Sequence, residues 1–205
     1  MFYKIPKDSI IRQGDVTEGI ISLGAVANKL LRGDNICGFD SEPNFSIDLR
    51  FNYNVVMTPC CNIKKAKYIS FCPLYQVSKK IKFDNKYLEE DPTKINEPVT
   101  AEQSMPKRRW EKSGEEEKEI KRQQGKKFSY LDHFAFKKYE GIFEEDMIID
   151  FNDIFCIRRK DLGNNLEEMV PFKVLQLTDD TRAKFRQKLI KYFGRDPEDE
   201  CELGT

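Results

Sequence analysis

The sequence carries one histidine and one tryptophan among its 205 residues. A lone His excludes the His-rich metal motifs. No glycine-rich phosphate loop and no nucleophile elbow is present, so several common enzyme classes are excluded at the level of motif, and no cofactor is expected. Net charge is missing too: 35 Lys and Arg balance 35 Asp and Glu, which removes the global basic field that announces nucleic-acid binding. Long apolar runs are absent. The greasiest stretch, Val55 to Met57, falls far short of the roughly 18 to 20 residues that cross a bilayer. Met1 to Asp8 shows neither an apolar h-region nor a small-residue cleavage site, so the expected location is cytoplasmic, with no membrane contact. Six cysteines in such a chain read as reduced thiols.

What the chain does have is aromatic mass. Fifteen Phe and eight Tyr supply a core, since aromatics bury the most apolar surface per residue. The length suits a single domain spanning 1–205, carrying an insertion. Gly14-Asp15 is a turn signal ahead of Val16, and Glu18 to Leu23 suggests a short strand. Ala25 to Leu31 reads as a helical turn or two, stopped by Gly33-Asp34. Phe45 to Phe51 alternates apolar and polar residues, the pattern of a half-buried strand. Tyr53 to Thr58 reads as a more buried strand that Pro59 ends, and Tyr68 to Cys72 as its antiparallel partner. Lys127 to Phe134 reads as a strand. Met147 to Phe151 and Asp153 to Arg158 form a strand pair or one bent strand.

From 84 to 127 the composition becomes charged, with Glu111 to Gln124 favouring helix, and this stretch reads as a polar, partly helical, solvent-facing insertion. Near the end, Thr178 is placed to cap a helix with Asp179 and Asp180 in its first turn. Phe185, Leu189 and Phe193 then line one face with Ile190 and Tyr192 beside them, Lys184, Arg186, Lys188 and Lys191 take the others, and Gly194 stops it. Residues 196–205 read as a frayed acidic tail.

Three constellations could carry chemistry. Cys61 and Cys72 are candidate zinc ligands if their strands pair, with Cys37, Cys156 or His133 completing four. The adjacency of Cys60 and Cys61 argues against that, because successive side chains of an extended chain diverge, and core cysteines are the simpler reading. Cys60 or Cys61 could instead be a nucleophile served by His133. Asp15, Arg50 and Thr58, with Arg12, could act on a phosphodiester, the Arg balancing phosphorane charge and the hydroxyl or carboxylate moving protons. Separately, Lys107, Arg108, Arg109 and Trp110 pair a basic run with an aromatic and could contact phosphate and a base of a nucleic-acid partner, or a protein.

The order of Gln13-Gly14-Asp15-Val16, then Asn54 to Ile63, then Tyr68 to Leu74 resembles an uncharacterised bacterial group in which a Gly-Asp turn precedes a strand ending in Thr-x-x-Cys-Asp. Here Asn62 stands at the Asp position. Phe128 to Leu131, Ile149 to Phe151 and the Tyr192 to Arg195 helix end continue the resemblance. More distantly, Gly14, Asp15, Val16 and the Val55 to Thr58 strand, with Arg50, are similar to the small barrels of MazF/PemK-type toxin endoribonucleases. The resemblance implies an SH3-like antiparallel β-barrel.

The expectation is therefore an α+β fold: an SH3-like antiparallel β-barrel, a polar helical insertion and a packed C-terminal helix. Three functions follow in order. The first is a bacterial binding or interaction module, related to nucleic acid or defence. The second is a toxin-like RNase. The third is a cysteine- or zinc-dependent site.

Overall fold

Val16, Val55 and Phe71 have no exposed surface, and the strands that carry them lie side by side. The computed structural model describes residues 1–5, 7–27, 45–51, 53–83, 86–103, 107–162 and 172–194, with 21–27 and 45–51 as backbone only. In chain order the elements are β1 (Val16–Thr17), β2 (Ile21–Ala27), β3 (Phe45–Phe51), β4 (Asn54–Val56), α1 (Cys60–Ile63), β5 (Tyr68–Pro73), β6 (Tyr75–Gln76) and α2 (Val77–Lys80). Then come α3 (Lys86–Glu90), a 3-10 turn at Pro92–Asn96, β7 (Pro98–Val99), α4 (Lys107–Lys112), α5 (Glu115–Gln123), β8 (Lys127–Phe128), β9 (His133–Phe136) and β10 (Met147–Asp150). A second 3-10 turn at Phe151–Asp153, β11 (Phe155–Arg158), α6 (Arg159–Leu162), β12 (Lys173–Leu175) and α7 (Asp179–Phe193) complete the order.

All pairing is antiparallel. One five-stranded sheet runs β11-β5-β4-β1-β12, a three-stranded sheet runs β6-β10-β9, and β2-β3 and β7-β8 are two-stranded ribbons. The fold is mixed α+β. Among the described residues no sheet closes into a barrel, and no helix is long and apolar enough to cross a membrane.

The expected hairpin is present: Val55 faces Cys72 and Val56 faces Phe71 across β4 and β5. Gly14 takes φ +87° so that the chain turns into β1, and Val16 then pairs with Val55. A Cβ on Gly14 would stand 2.9 Å from the Leu177 side chain, so both conformation and space demand glycine. The two motifs that carry the sequence resemblance are thus neighbours in space. Met147–Asp150 and Phe155–Arg158 are two strands, not one. The Phe151–Asp153 turn between them, capped by the Asp150 carboxylate accepting from the Asn152 N–H, sends each to a different sheet.

Four expectations change. Ala25–Ala27 are the end of β2, paired with Phe45–Ile47, not helix; the rest of the expected turn lies outside the described residues, as does the acidic tail. The strand expected over 127–134 is broken by a turn in which Tyr130 sits at φ +52°, and its halves join different sheets. No glycine or proline marks that break, so alternation alone passed over it. Within the insertion, Ile95 and Asn96 are buried. Asn96 Nδ2 donates to the Ala135 carbonyl at 2.7 Å, and the Ala135 N–H donates back to Asn96 Oδ1 at 2.8 Å, clamping this turn to β9.

The fourth concerns α7. Thr178 caps it as expected, its hydroxyl accepting from the Thr181 N–H. Its buried face, however, is Thr181, Arg182, Phe185, Lys188, Leu189 and Tyr192, while Ile190 is 71% and Phe193 65% exposed. A 3.6-residue turn carries Phe193 about 80° past Phe185. The places next to Phe185 and Leu189 go to two cations whose hydrogen bonds are met inside. Phe185 packs edge-on against Phe134 at 5.0 Å between ring centroids, an arrangement that contributes about 0.5–1.5 kcal/mol beyond burial.

Candidate functional site: a cleft at the seam of two sheets and a charged cluster beside it

The turn at Gln13 to Asp15 is stitched to β4. The Gly14 N–H donates to the Val56 carbonyl at 2.8 Å, and the Gln13 amide donates to Met57 O at 2.7 Å. Asp15 then points inward. Its carboxylate meets Lys173 Nζ at 3.0 Å and the Arg182 guanidinium at 3.4 Å, and accepts the Arg12 N–H at 2.8 Å. Burial pushes the Asp15 carboxyl above its ordinary value, against the pull of Lys173 and Arg182. Lys173, itself wholly buried, also donates to the carbonyl of Ile10 and the side chain of Gln176, both at 2.8 Å, and lies 3.2 Å from the Asp8 carboxylate. Burial works against the Asp8 carboxylate, but hydrogen bonds from Arg12, the Ile10 amide, Gln176 and Lys173 hold it well below the usual range.

Of the sequence candidates with described side chains, Arg12, Asp15 and Cys60 come together at this turn, whereas Cys72 and His133 lie at Asp150. Asp15 belongs to this buried hub. Thr58, also buried, accepts the Ser70 N–H at 2.8 Å and ties β4's end to β5. Arg50 lies on the β2–β3 ribbon opposite Ser22. Cys61 is exposed on α1 and Cys72 is buried on β5, where its thiol donates to the Asp150 carbonyl at 3.1 Å. Burial pushes the Cys72 thiol far above its ordinary value. Among the described residues, no group of three or more candidate metal ligands includes Cys61 or Cys72. Cys37 lies outside those residues. In the Lys107 to Trp110 run, Trp110 is buried with the Arg122 guanidinium 5.7 Å from its ring centre, while Lys107, Arg108 and Arg109 stay exposed.

Composition did not point to the open space. A cleft of about 590 Å³ lies at the seam of the two larger sheets, between the segment after β1 and the β6–α2 corner. Its apolar lining is Ile20, Leu74 and Met147; Tyr53 and Tyr75 add aromatic surface; Glu18, Gln76, Lys79 and Lys80 supply polar groups. The Leu74 N–H donates to the Tyr53 carbonyl at 2.8 Å, which fixes the two tyrosine-bearing segments together. Tyr53 stacks edge-on to Phe143 at 5.0 Å, and the Lys80 ammonium sits 4.7 Å from the Tyr75 ring centre. Burial, with the Glu18 charge nearby, raises the Tyr53 hydroxyl above its ordinary value.

Lys80 joins the cleft to a second group. Its ammonium contacts Asp150 Oδ2 at 3.0 Å and Asp153 Oδ2 at 2.9 Å. Burial opposes its charge, yet the bonds to Asp153 and Asp150 raise it well above the ordinary lysine value. Asp150 stands directly across from His133 in the β9–β10 register. His133 Nδ1 is 2.7 Å from Asp132 Oδ1, and its Nε2 is 3.8 Å from Asp150 Oδ2. The hydrogen bond from His133 holds Asp132 below its ordinary value. Asp150 is held low as well: burial is outweighed by the Asn152 N–H and Lys80. Of the sequence candidates with described side chains, His133 sits in this charged cluster, and the Cys72 thiol lies beside it on the Asp150 carbonyl. Asp132 precedes His133 in the chain, whereas Asp150 reaches it through the register of two strands, which leaves no spacing signal.

No protein-family model matches the sequence, and comparison with curated proteins finds no match.

Proposed function

We propose that this protein is a binding module whose cleft takes a nucleotide-type ligand, a flat base with an attached phosphate. The observation that carries the reading is the composition of the cleft: two tyrosines and an apolar wall beside Lys79 and Lys80. Aromatic faces stack on any base for about 1–3 kcal/mol each. Glu18 and Gln76 are suited to the donor and acceptor edges of a base, and Lys79 on the rim to a phosphate. The volume fits one such unit, within the roughly 300–1,000 Å³ of small-ligand sites. The reading keeps the bent, SH3-like core expected from the sequence, with the cleft along the seam of its sheets. Binding is proposed rather than strand cleavage because Asp15 and Thr58 are engaged in folding contacts inside the protein.

Calorimetric titration with AMP, UMP and a short single-stranded oligonucleotide tests the proposal. Saturable binding that falls at least tenfold in a folded Tyr75→Ala variant supports it. Preference for the oligonucleotide would identify one residue of a strand as the ligand, and equal affinity for the monophosphates a free nucleotide. No binding by any of the three, or binding unchanged in Tyr75→Ala, would remove the proposal.

A further inference from the structure

The arrangement around His133 has the parts of a metal site, and it shares only Lys80 with the cleft. Asp132 Oδ1 engages Nδ1 of the ring at 2.7 Å. In neutral His133 this contact places the proton on Nδ1 and leaves the lone pair on Nε2. A carboxylate behind a ligating imidazole does the same in metal centres, fixing the ring and raising its basicity. Nε2 then faces Asp150 Oδ2 across 3.8 Å. That is too long for a hydrogen bond. Two ligands each about 2.0–2.2 Å from one ion stand roughly 3–4 Å apart, which is the spacing seen here. One donor atom each of Asp132, His133 and Asp150 falls within 4.8 Å of the others.

The second oxygen of Asp150 is fixed as well. Oδ1 accepts from the Asn152 N–H and from Asn152 Nδ2, both at 2.9 Å, and Tyr192 donates its hydroxyl to Asn152 Oδ1 at 2.6 Å. Oδ2 is therefore aimed. The group now beside it is a cation, Lys80, held also by Asp153. Asp132, Asp150 and Asp153 outnumber this ammonium; the buried Lys188 is the other basic group acting on Asp132. We propose that His133 Nε2 and Asp150 Oδ2 chelate a divalent transition-metal ion, that Asp132 positions the imidazole, and that Lys80 competes with the ion for Asp150. One imidazole and one hard carboxylate oxygen suit manganese or zinc, and solvent fills the remaining coordination positions.

Mn²⁺ is the better probe, because exposed Cys61 and Cys156 offer zinc alternative thiolate partners, whereas manganese favours oxygen and nitrogen. The full chain is titrated with Mn²⁺ and the free ion is followed by electron paramagnetic resonance, with circular dichroism to confirm each variant is folded. One ion per chain is expected, with at least a tenfold loss in His133→Gln and in Asp150→Asn. Asp132→Asn loses about 10–100-fold. Lys80→Met binds roughly tenfold more tightly, because a competing charge is gone. That gain cannot come from a damaged fold. Binding unaffected by His133→Gln, or no binding by either the wild type or Lys80→Met, overturns the proposal.

Discussion

Asp15 and Lys173 form an ion pair 3.0 Å apart in which neither side chain has any exposed surface. It ties the turn before β1 to β12, with Arg182 of α7 closing the other side of the carboxylate at 3.4 Å. Taking one partner away leaves a buried charge without compensation. Lys173→Met is expected to cost about 3–5 kcal/mol, and Asp15→Asn a similar amount. Urea denaturation of both single variants and of the double variant measures this. The double variant is expected to be less damaged than the sum of the singles, since the two groups are coupled.

Gly14 serves the same turn from the backbone. Gly14→Ala is expected to destabilise by about 1–3 kcal/mol. An alanine there would hold φ +87° and press its Cβ on Leu177. Gly125, also at positive φ but with nothing within 4 Å, is the control, and Gly125→Ala should carry only the backbone part of that loss.

Lys188 is wholly enclosed, its Nζ donating to the Ile95 carbonyl. Burial lowers it well below the ordinary lysine value, with Asp132 pulling the other way. Between its folded value and about 10.4, the unfolded chain binds the proton that the folded chain has lost, so stability rises with pH across that window. Lys188→Met should remove this rise. Denaturation of wild type and variant at pH 7 and pH 9.5 gives the difference: it should shrink or reverse sign in the variant's favour at the lower pH.

The acidic counterparts behave in the opposite window. Asp8, Asp132 and Asp150 are all lowered in the folded protein. Their contribution is full above the unfolded value of about 3.9 and is lost as pH falls through the folded values. Stability should decline below about pH 4, and less steeply in Asp8→Asn, which removes the most strongly lowered of the three. A pH series of thermal unfolding checks it.

Much of the sheet was readable from residue order alone. The run Tyr53 to Thr58, the stop at Pro59 and the partner at Tyr68 to Cys72 gave a hairpin, and the structure has it in the register Val55 to Cys72. Thr178 with Asp179 and Asp180 gave the helix start. What the chain order hid was long-range polar pairing. Lys173 and Arg182 look like ordinary surface cations until Asp15 is placed between them, and Lys188 looks solvated until the Ile95 carbonyl comes to meet it. Asn96 has no apolar neighbour pattern, yet it holds the insertion to β9. For the candidate site, His133 stood out as the lone histidine, but Asp150 joins it only through strand register. The cleft is a gap between sheets, and no single segment carries its signature.

The most direct test of the ligand reading is to map where a nucleotide touches the folded protein. Two-dimensional nuclear magnetic resonance of the labelled full chain, with AMP and then the short oligonucleotide added, reports this residue by residue. The account predicts shifts at Glu18 to Ile20, Tyr53 and Leu74 to Lys80, around the cleft. Shifts confined to Lys107, Arg108 and Arg109, or none at saturating ligand, would contradict it.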